Sequence, residues 1–340
     1  MKLPPGSPPD SILLTFPVAR EFAGQRLDRF IQSRIPRLSR TRAQEIVRSA
    51  ARREDGTPRR ASERVKAGEI VLLVRPRLNE PDVPLTFDVL HDDEWVLALD
   101  KPSGLPMHPT ATYHNHTLTK LLSKRYGESP PNICHRLDRE TSGIVLCARR
   151  SDAERALKLA FERRKVEKAY IAIVRGEMEN DSGTIDYPLA SVREGLHLLM
   201  EIRDDGDVSR ALTHYRVLER RGGHSLVFLS PKTGRQHQLR VHLSAIGHPI
   251  VGDKLYGPER EAPFLEIIET GLTPEVVARL GHDRQALHAH RVVFEHPGSG
   301  ESMTVESPIP ADMRALWESY GPARWTSLRT VGEAATTGAP

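Results

Sequence analysis

The residues best placed to do chemistry are His135-Arg136-Leu137-Asp138-Arg139-Glu140-Thr141-Ser142-Gly143, which run directly into the apolar stretch Ile144-Val145-Leu146-Cys147-Ala148. Asp138 stands between two arginines, and opposite charges within a few ångström favour the charged form of a carboxylate. An ionised Asp at the lip of a buried strand suits a nucleophile or a polar anchor. A plain surface ion-pair cluster at a strand start uses the same residue types, so the Arg-Asp-Arg pattern alone does not choose between them. A second cluster, the histidines between His108 and His116, sits in a loop rich in Pro and Thr. That spacing fixes no ligand geometry and no Cys or carboxylate pair completes a set, so no metal is expected. Cys134 and Cys147 flank the Asp138 string without Cys-x-x-Cys spacing and read as small buried hydrophobes.

Periodicity supplies the elements that must hold this string. Before it, Glu94 to Lys101 reads as a mostly apolar strand, Pro102-Ser103-Gly104-Leu105-Pro106 as a turn, and Thr117 to Tyr126 as a helix. After it, Asp152 to Lys165 is amphipathic. Ala153, Ala156, Leu157, Ala160 and Phe161 face inward, and Arg155, Lys158, Arg163 and Arg164 face water. Glu167 to Gly176 alternates and is β-branched, which predicts a strand, with others near 211–219, 225–229, 287–294 and 302–306. Pro231 to His242 runs from turn into helix, and Gly247 to Asp253 is a loop.

The first part of the chain has a different character. Residues 1–15 are proline-rich and read as an untethered arm. Leu27, Phe30, Ile31 and Ile35 share a helical face that Pro36 ends, and Ser39 N-caps a second helix with Ala43, Ile46, Val47 and Ala50 inward. Arg40, Arg42 and Arg48 lie off that face, and a short strand spans 70–74. Residues 78–90 read as a linker and residues from about 326 as a disordered tail. There is no internal repeat.

With 340 residues and 38% hydrophobic content the chain is long enough for two domains with real cores. No apolar run approaches ~18 residues, and prolines interrupt the first nine positions, so a soluble cytoplasmic protein, expected monomeric, is the reading. The net charge of +4 hides an asymmetry. Between Val18 and Lys66 there are 14 Lys or Arg against six Asp or Glu, so the rest of the chain is slightly acidic. A basic module of this kind points to a polyanion partner.

The string His135 to Gly143 resembles the signature of the RluA-type pseudouridine synthases, in which its Asp is the catalytic residue. Lys101-Pro102-Ser103-Gly104-Leu105, Lys168-Ala169-Tyr170 and the Gly234-to-Arg240 segment match further family motifs in the family's order. The resemblance covers nearly all of residues 20–325. It implies an α+β fold, with a mixed, mainly antiparallel sheet split by a central RNA-binding cleft across residues 91–325. The implied reaction is conversion of uridine to pseudouridine in structured RNA, large-subunit rRNA above tRNA, with neither metal nor organic cofactor. It also implies roles. Asp138 is the catalytic carboxylate, Arg240 its bidentate partner and Tyr170 the platform for a flipped base. His135, Arg136, Arg139, Arg235, Gln236 and His237 are expected to contact RNA or brace the loops.

Residues 16–77 resemble the small α/β RNA-binding domain named after small-subunit ribosomal protein S-four, through Arg26-Leu27-Asp28-Arg29-Phe30, Ser39 to Gln44 and Val65 to Glu69. That resemblance makes Arg29, Arg40, Arg42 and Arg48 the expected phosphate contacts. Ala50 to Gly56 departs from the pattern, because the strand expected there lacks apolar alternation. A rival of another class is an RNA-binding assembly factor with a vestigial site, which would bind rRNA and leave every uridine unchanged. A hydrolase that releases free uracil is a third reading.

Overall fold

The structure, a computed structural model, describes residues 3–8, 11–35, 38–75, 80–110, 112–193, 196, 198–206 and 208–321. Pro36, the expected tail and the start of the expected linker lie outside them. Two compact units divide between Asn79 and Glu80.

The first unit runs β1 (Ile12–Pro17), α1 (Leu27–Arg34), α2 (Arg40–Ala50), β2 (Ala51–Arg52) and β3 (Ile70–Arg75). The central strand β3 is flanked by β1 and β2, both antiparallel to it. The arm expected over residues 1–15 is therefore corrected in its last part, where Ile12 to Thr15 pair with Arg75 to Leu72. Prolines mask the signal, but Leu14 and Phe16 alternate onto the cluster of Phe30, Ile31 and Val47. The only proline of β1 closes its end, where a missing N–H does least harm. Ser39 caps α2 by accepting from the Arg42 amide at 3.2 Å. β2 is just two residues long, as the missing alternation after Ala50 suggests.

Asp28 is buried and ties the helix pair together. It accepts Nε and Nη2 of Arg26 at 3.1 and 2.8 Å and Nε2 of Gln44 in α2 at 3.1 Å. Arg29, Arg40, Arg42 and Arg48 are all exposed, off the packed face, with Arg42 paired to Glu45 at 2.7 Å.

The second unit continues with β4 (Asp88–Asp92), β5 (Val96–Lys101), α3 (Leu118–Tyr126), β6 (Asn132–Ile133), β7 (Ser142–Ala148), α4 (Ser151–Glu162) and β8 (Glu167–Arg175). There follow β9 (Ser182–Asp186), β10 (Leu189–Ser191), β11 (Met200–Ile202), β12 (Leu212–Arg221), β13 (His224–Pro231) and α5 (Gln238–Ala245). The last elements are α6 (Ala262–Thr270), α7 (Pro274–Leu280), β14 (Leu287–Glu295), β15 (Ser302–Glu306) and α8 (Ala311–Ser319). A ten-stranded sheet runs β4-β5-β7-β14-β8-β13-β12-β9, with β15 added to β14 and β6 to β7. β10 and β11 form a separate pair. β4 begins inside the stretch expected as linker, because Val89 and Asp88 pair with Leu99 and Asp100 of β5.

Helices cover both faces of β5 and β7, which is why these strands read as unbroken apolar runs. Val96, Ala98, Ile144 and Leu146 pack toward Ala153 and Leu157 of α4. Leu97, Leu99, Val145 and Cys147 pack toward Leu118 and Leu122 of α3. Cys134 joins the first cluster and Cys147 the second, so the two buried thiols serve different faces of the sheet.

The only parallel pairing in the large sheet, among the described residues, is β7 with β14, over Ser142 and Gly143 against His288 and Ala289. Gly143 has φ of +109°, and a side chain there would run into the Ala289 backbone. Ala289 also pairs with Tyr170 of β8. The register thus carries the end of the Asp138 string to within one strand of Tyr170. No described helix is long and apolar enough to cross a membrane.

Candidate active site

Asp138 sits in the turn between β6 and β7, and that turn is pinned from below by a buried lysine. Lys101 Nζ donates to the carbonyls of Pro102, Leu105 and Arg139 at 2.8, 3.0 and 3.0 Å. Three acceptors satisfy all three ammonium N–H groups. Burial, with Arg284 nearby, still pushes Lys101 down to about 7. The Gly104 amide donates to the Arg139 carbonyl at 2.9 Å, and Ser103 Oγ donates to the Glu140 carbonyl at 2.7 Å. Gln285 Nε2 reaches Thr141 Oγ1 at 2.6 Å.

Arg240 approaches from α5, whose start is fixed by Gln238. The Gln238 side chain accepts from Thr233 Oγ1 and the Arg235 amide at 2.7 and 3.0 Å, and donates to Thr213 Oγ1 of β12 at 3.0 Å. Arg240 is 6% exposed. Its Nη1 donates to Asp138 Oδ2 at 3.0 Å, while Nε and Nη2 bind Asp253 Oδ2 and Oδ1 at 2.7 and 2.8 Å. The expectation of a bidentate Arg240–Asp138 pair is corrected: the fork belongs to Asp253, and Asp138 takes the remaining edge. Burial opposes the charge on both partners. On Asp253 the Arg240 guanidinium and the amides of Leu255 and Tyr256 prevail and hold the carboxyl below its ordinary range. On Arg240 the two carboxylates prevail and hold the guanidinium above its ordinary value.

Tyr170 lies half-buried on β8, between Leu229 of β13 and Ala289 of β14. Burial, reinforced by Asp138, pushes its phenol well above the usual range, so the ring is neutral. Asp138, Tyr170 and Arg240 line one cleft of about 560 Å³ with His135, Arg136, Lys168, Arg235 and His237.

The other expected contacts divide. Arg136 is exposed at the cleft. His135 is a brace rather than a phosphate cation: Nε2 accepts the Leu146 amide at 3.0 Å, the ring packs on Phe161, and burial pushes it down to about 4. Arg139 donates to Tyr113 Oη at 2.6 Å and to Glu140 Oε1 at 3.0 Å, which engages its guanidinium within the protein. Arg235 Nε reaches the Arg210 carbonyl at 3.3 Å, and Gln236 Nε2 reaches the Leu198 carbonyl at 3.2 Å. His237 has a left-handed backbone, with φ of +54°. Burial and the Arg240 charge push it down to about 4. No group of three or more His, Cys, Asp or Glu among the described residues is arranged to hold a metal.

Sequence reasoning missed Asp253, Tyr256 and Lys101 as parts of this site. Gly247 to Asp253 reads only as a loop, and Lys254-Leu255-Tyr256-Gly257 that follow it carry no reading. The signal there was the clustering of an acid, a base and a phenol between Gly252 and Gly257, the first of which, at φ +79°, packs tightly on the Arg284 backbone.

One continuous, mostly antiparallel sheet thus brings a carboxylate, a shared arginine and a neutral phenol into a single cleft lined with basic side chains, an arrangement suited to acid–base or nucleophilic chemistry on a polyanionic substrate. Residues 95–245 match the family model described as RNA pseudouridylate synthase. The chain belongs to that family, and its activity is the isomerisation of uridine to pseudouridine in RNA. It is 37% identical over 323 residues to "Ribosomal large subunit pseudouridine synthase D" of Xanthomonas campestris pv. campestris, covering 91% of this chain and 93% of that relative. A Bacillus subtilis relative, "Uncharacterized RNA pseudouridine synthase YlyB", is 32% identical over 88% of this chain and 96% of its own. The solved structure of "Human RNA Pseudouridylate Synthase Domain Containing 1" aligns with a TM-score of 0.59 at 28% identity, covering 76% of this chain and 98% of that one.

Proposed function

We propose that this synthase acts on large-subunit rRNA, with Asp138 as the catalytic carboxylate, Arg240 orienting it and Tyr170 stacking against the displaced base. The observation that carries the site assignment is the convergence of these three side chains in one cleft. The reaction breaks the bond from C1′ to N1, turns the uracil and joins C1′ to C5. The C5 hydrogen leaves as a proton and N1 gains one, so atoms balance without oxidant or water. Addition of Asp138 to the anomeric carbon and removal of a proton by it both use a carboxylate oxygen, and Arg240 Nη1 holds Oδ2 of that carboxylate at 3.0 Å. A neutral Tyr170 offers a flat face and a polar tip to a base taken out of its stack. The rRNA preference rests on the printed names of several relatives at 33–37% identity. The first unit, by its likeness to the S-four-type domain, supplies affinity through Arg29, Arg40, Arg42 and Arg48.

The test is tritium release from large-subunit rRNA transcript labelled at uracil C5, without added metal or cofactor. Native protein is expected to release tritium, and Asp138→Asn to bind the RNA and release none. Release from a tRNA transcript alone moves the substrate to tRNA. Full activity in Asp138→Asn removes the proposed role of that carboxylate.

A further inference from the structure

The Asp138 carboxylate is held asymmetrically. Among the described residues, Oδ2 accepts Arg240 Nη1 at 3.0 Å and lies 3.9 Å from His237 Nε2. Oδ1 makes no hydrogen bond with any described residue. His237 holds this position on a left-handed backbone, a conformation uncommon outside glycine that Asn, Asp and His adopt more readily than other residues. Its other ring nitrogen, Nδ1, sits 2.8 Å from Tyr256 Oη.

Which nitrogen carries the imidazole proton follows from Tyr256. The phenol oxygen already accepts the Met200 amide at 2.8 Å. Burial pushes the phenol up to about 12, so it keeps its own proton. Among the described residues His237 Nδ1 is the one acceptor within its reach. Donation from Oη to Nδ1 gives the phenolic hydrogen an acceptor and turns the imidazole N–H toward Asp138 across 3.9 Å, whereas the opposite arrangement leaves the phenolic hydrogen with none. With Nδ1 accepting, a neutral imidazole carries its proton on Nε2, the atom facing Asp138.

We propose that His237 is a further positioning residue of the isomerisation, and that Tyr256 sets its tautomer so that an Nε2–H faces Asp138 Oδ2. In this arrangement Arg240 and His237 hold one carboxylate oxygen from two sides and leave Oδ1 as the oxygen that meets the ribose. At 3.9 Å the second contact is longer than a hydrogen bond. Such contacts commonly close when substrate enters, and the left-handed backbone keeps the ring aimed for that closure. The assignment rests on the site reading above but not on the choice of RNA.

The test has two arms on the full-length protein. Long-range proton–nitrogen NMR of histidine-labelled protein reads the His237 tautomer without RNA. Native protein should carry the proton on Nε2, and Tyr256→Phe should shift it toward Nδ1. In steady-state kinetics on an RNA that native protein modifies, Tyr256→Phe and His237→Ala should lower kcat on the order of 10²-fold with KM for RNA little changed. His237→Gln, which places an amide N–H near the Nε2 position, should recover much of that loss. A native proton on Nδ1 overturns the proposal, as does a Tyr256→Phe protein with native kcat. A His237→Gln protein no more active than His237→Ala overturns the donor role. Should His237→Ala fail to fold, the native tautomer and Tyr256→Phe still decide the matter.

Discussion

Arg240 is shared between two carboxylates, and the sharing decides what its neighbours do. Asp253 takes the rigid two-point fork, the stronger geometry for a guanidinium and a carboxylate, and so fixes the plane from which the last N–H reaches Asp138. Asp253 lies outside the cleft lining, so its contribution to substrate binding is indirect. Asp253→Asn keeps the shape and removes the charge. It is expected to lower kcat on the order of 10²-fold and to leave KM for RNA nearly unchanged, as single-turnover and steady-state kinetics would show. Asp253→Ala leaves a buried guanidinium short of one partner and is expected to cost roughly 3–5 kcal/mol in urea unfolding. Native kcat in Asp253→Asn would mean that Asp138 orients Arg240 unaided.

Between elements, the same logic of buried charge holds the helix pair of the first unit. The Arg26 side chain, with Gln44 and the Arg29 amide assisting against burial, holds the Asp28 carboxyl down at about 2. A carboxyl whose folded value is depressed stabilises fully above its unfolded value, ~3.9, and loses that contribution as pH falls through about 2. The NMR amide signals of α1 and α2 in the full chain are expected to survive to about pH 4 and fade toward about pH 2. Asp28→Asn should weaken the pair at neutral pH by roughly 1–3 kcal/mol and flatten this acid limb; an unchanged limb would assign the acid response to other carboxylates. Asp28 also marks the limit of what the sequence discloses. β7, β8, α4 and α5 are legible because their apolar period is set locally by the faces they bury. β1 is not, because its pairing with β3 is visible only once residues some 60 apart come together behind a proline-rich lead. β4, β10 and β11 are short strands whose partners, not their residue types, make them strands. In the site, Asp138, Tyr170 and Arg240 stand in readable motifs, yet the partner that takes the Arg240 fork lies in a loop that carries no period. Nor does residue type tell a bracing cation from one open to solvent: both Arg136 and Arg139 are exposed, yet among the described residues only Arg139 has its guanidinium hydrogen-bonded, to Tyr113 and Glu140.

Across the whole molecule, the charge is sorted by unit, and that makes a prediction about RNA affinity that is separate from the chemistry. The stretch from Val18 to Lys66 carries 14 Lys or Arg against six Asp or Glu, and Arg29, Arg40, Arg42 and Arg48 stand exposed off its core. Each phosphate neutralised by such a side chain releases condensed counterions, so log affinity falls with log salt by roughly 0.7–0.9 per contact. Replacing these four arginines by Gln together is expected to weaken rRNA binding at low salt and to lower the slope by up to about 3. The loss should fall on KM, because none of the four lines the cleft that holds Asp138. Affinity measured by filter binding across a salt series, alongside kcat at saturating RNA, separates the two effects. Substitution of the exposed cleft cations Arg136 and Arg235 instead is expected to change kcat and KM together, since both line the cleft that holds Asp138. An unchanged salt slope in the fourfold variant would mean that this face of the first unit does not grip the RNA, and that the cleft cations carry the electrostatic attraction by themselves. A reduced slope with intact kcat would establish a division of labour in which one unit captures the RNA and the other does the chemistry.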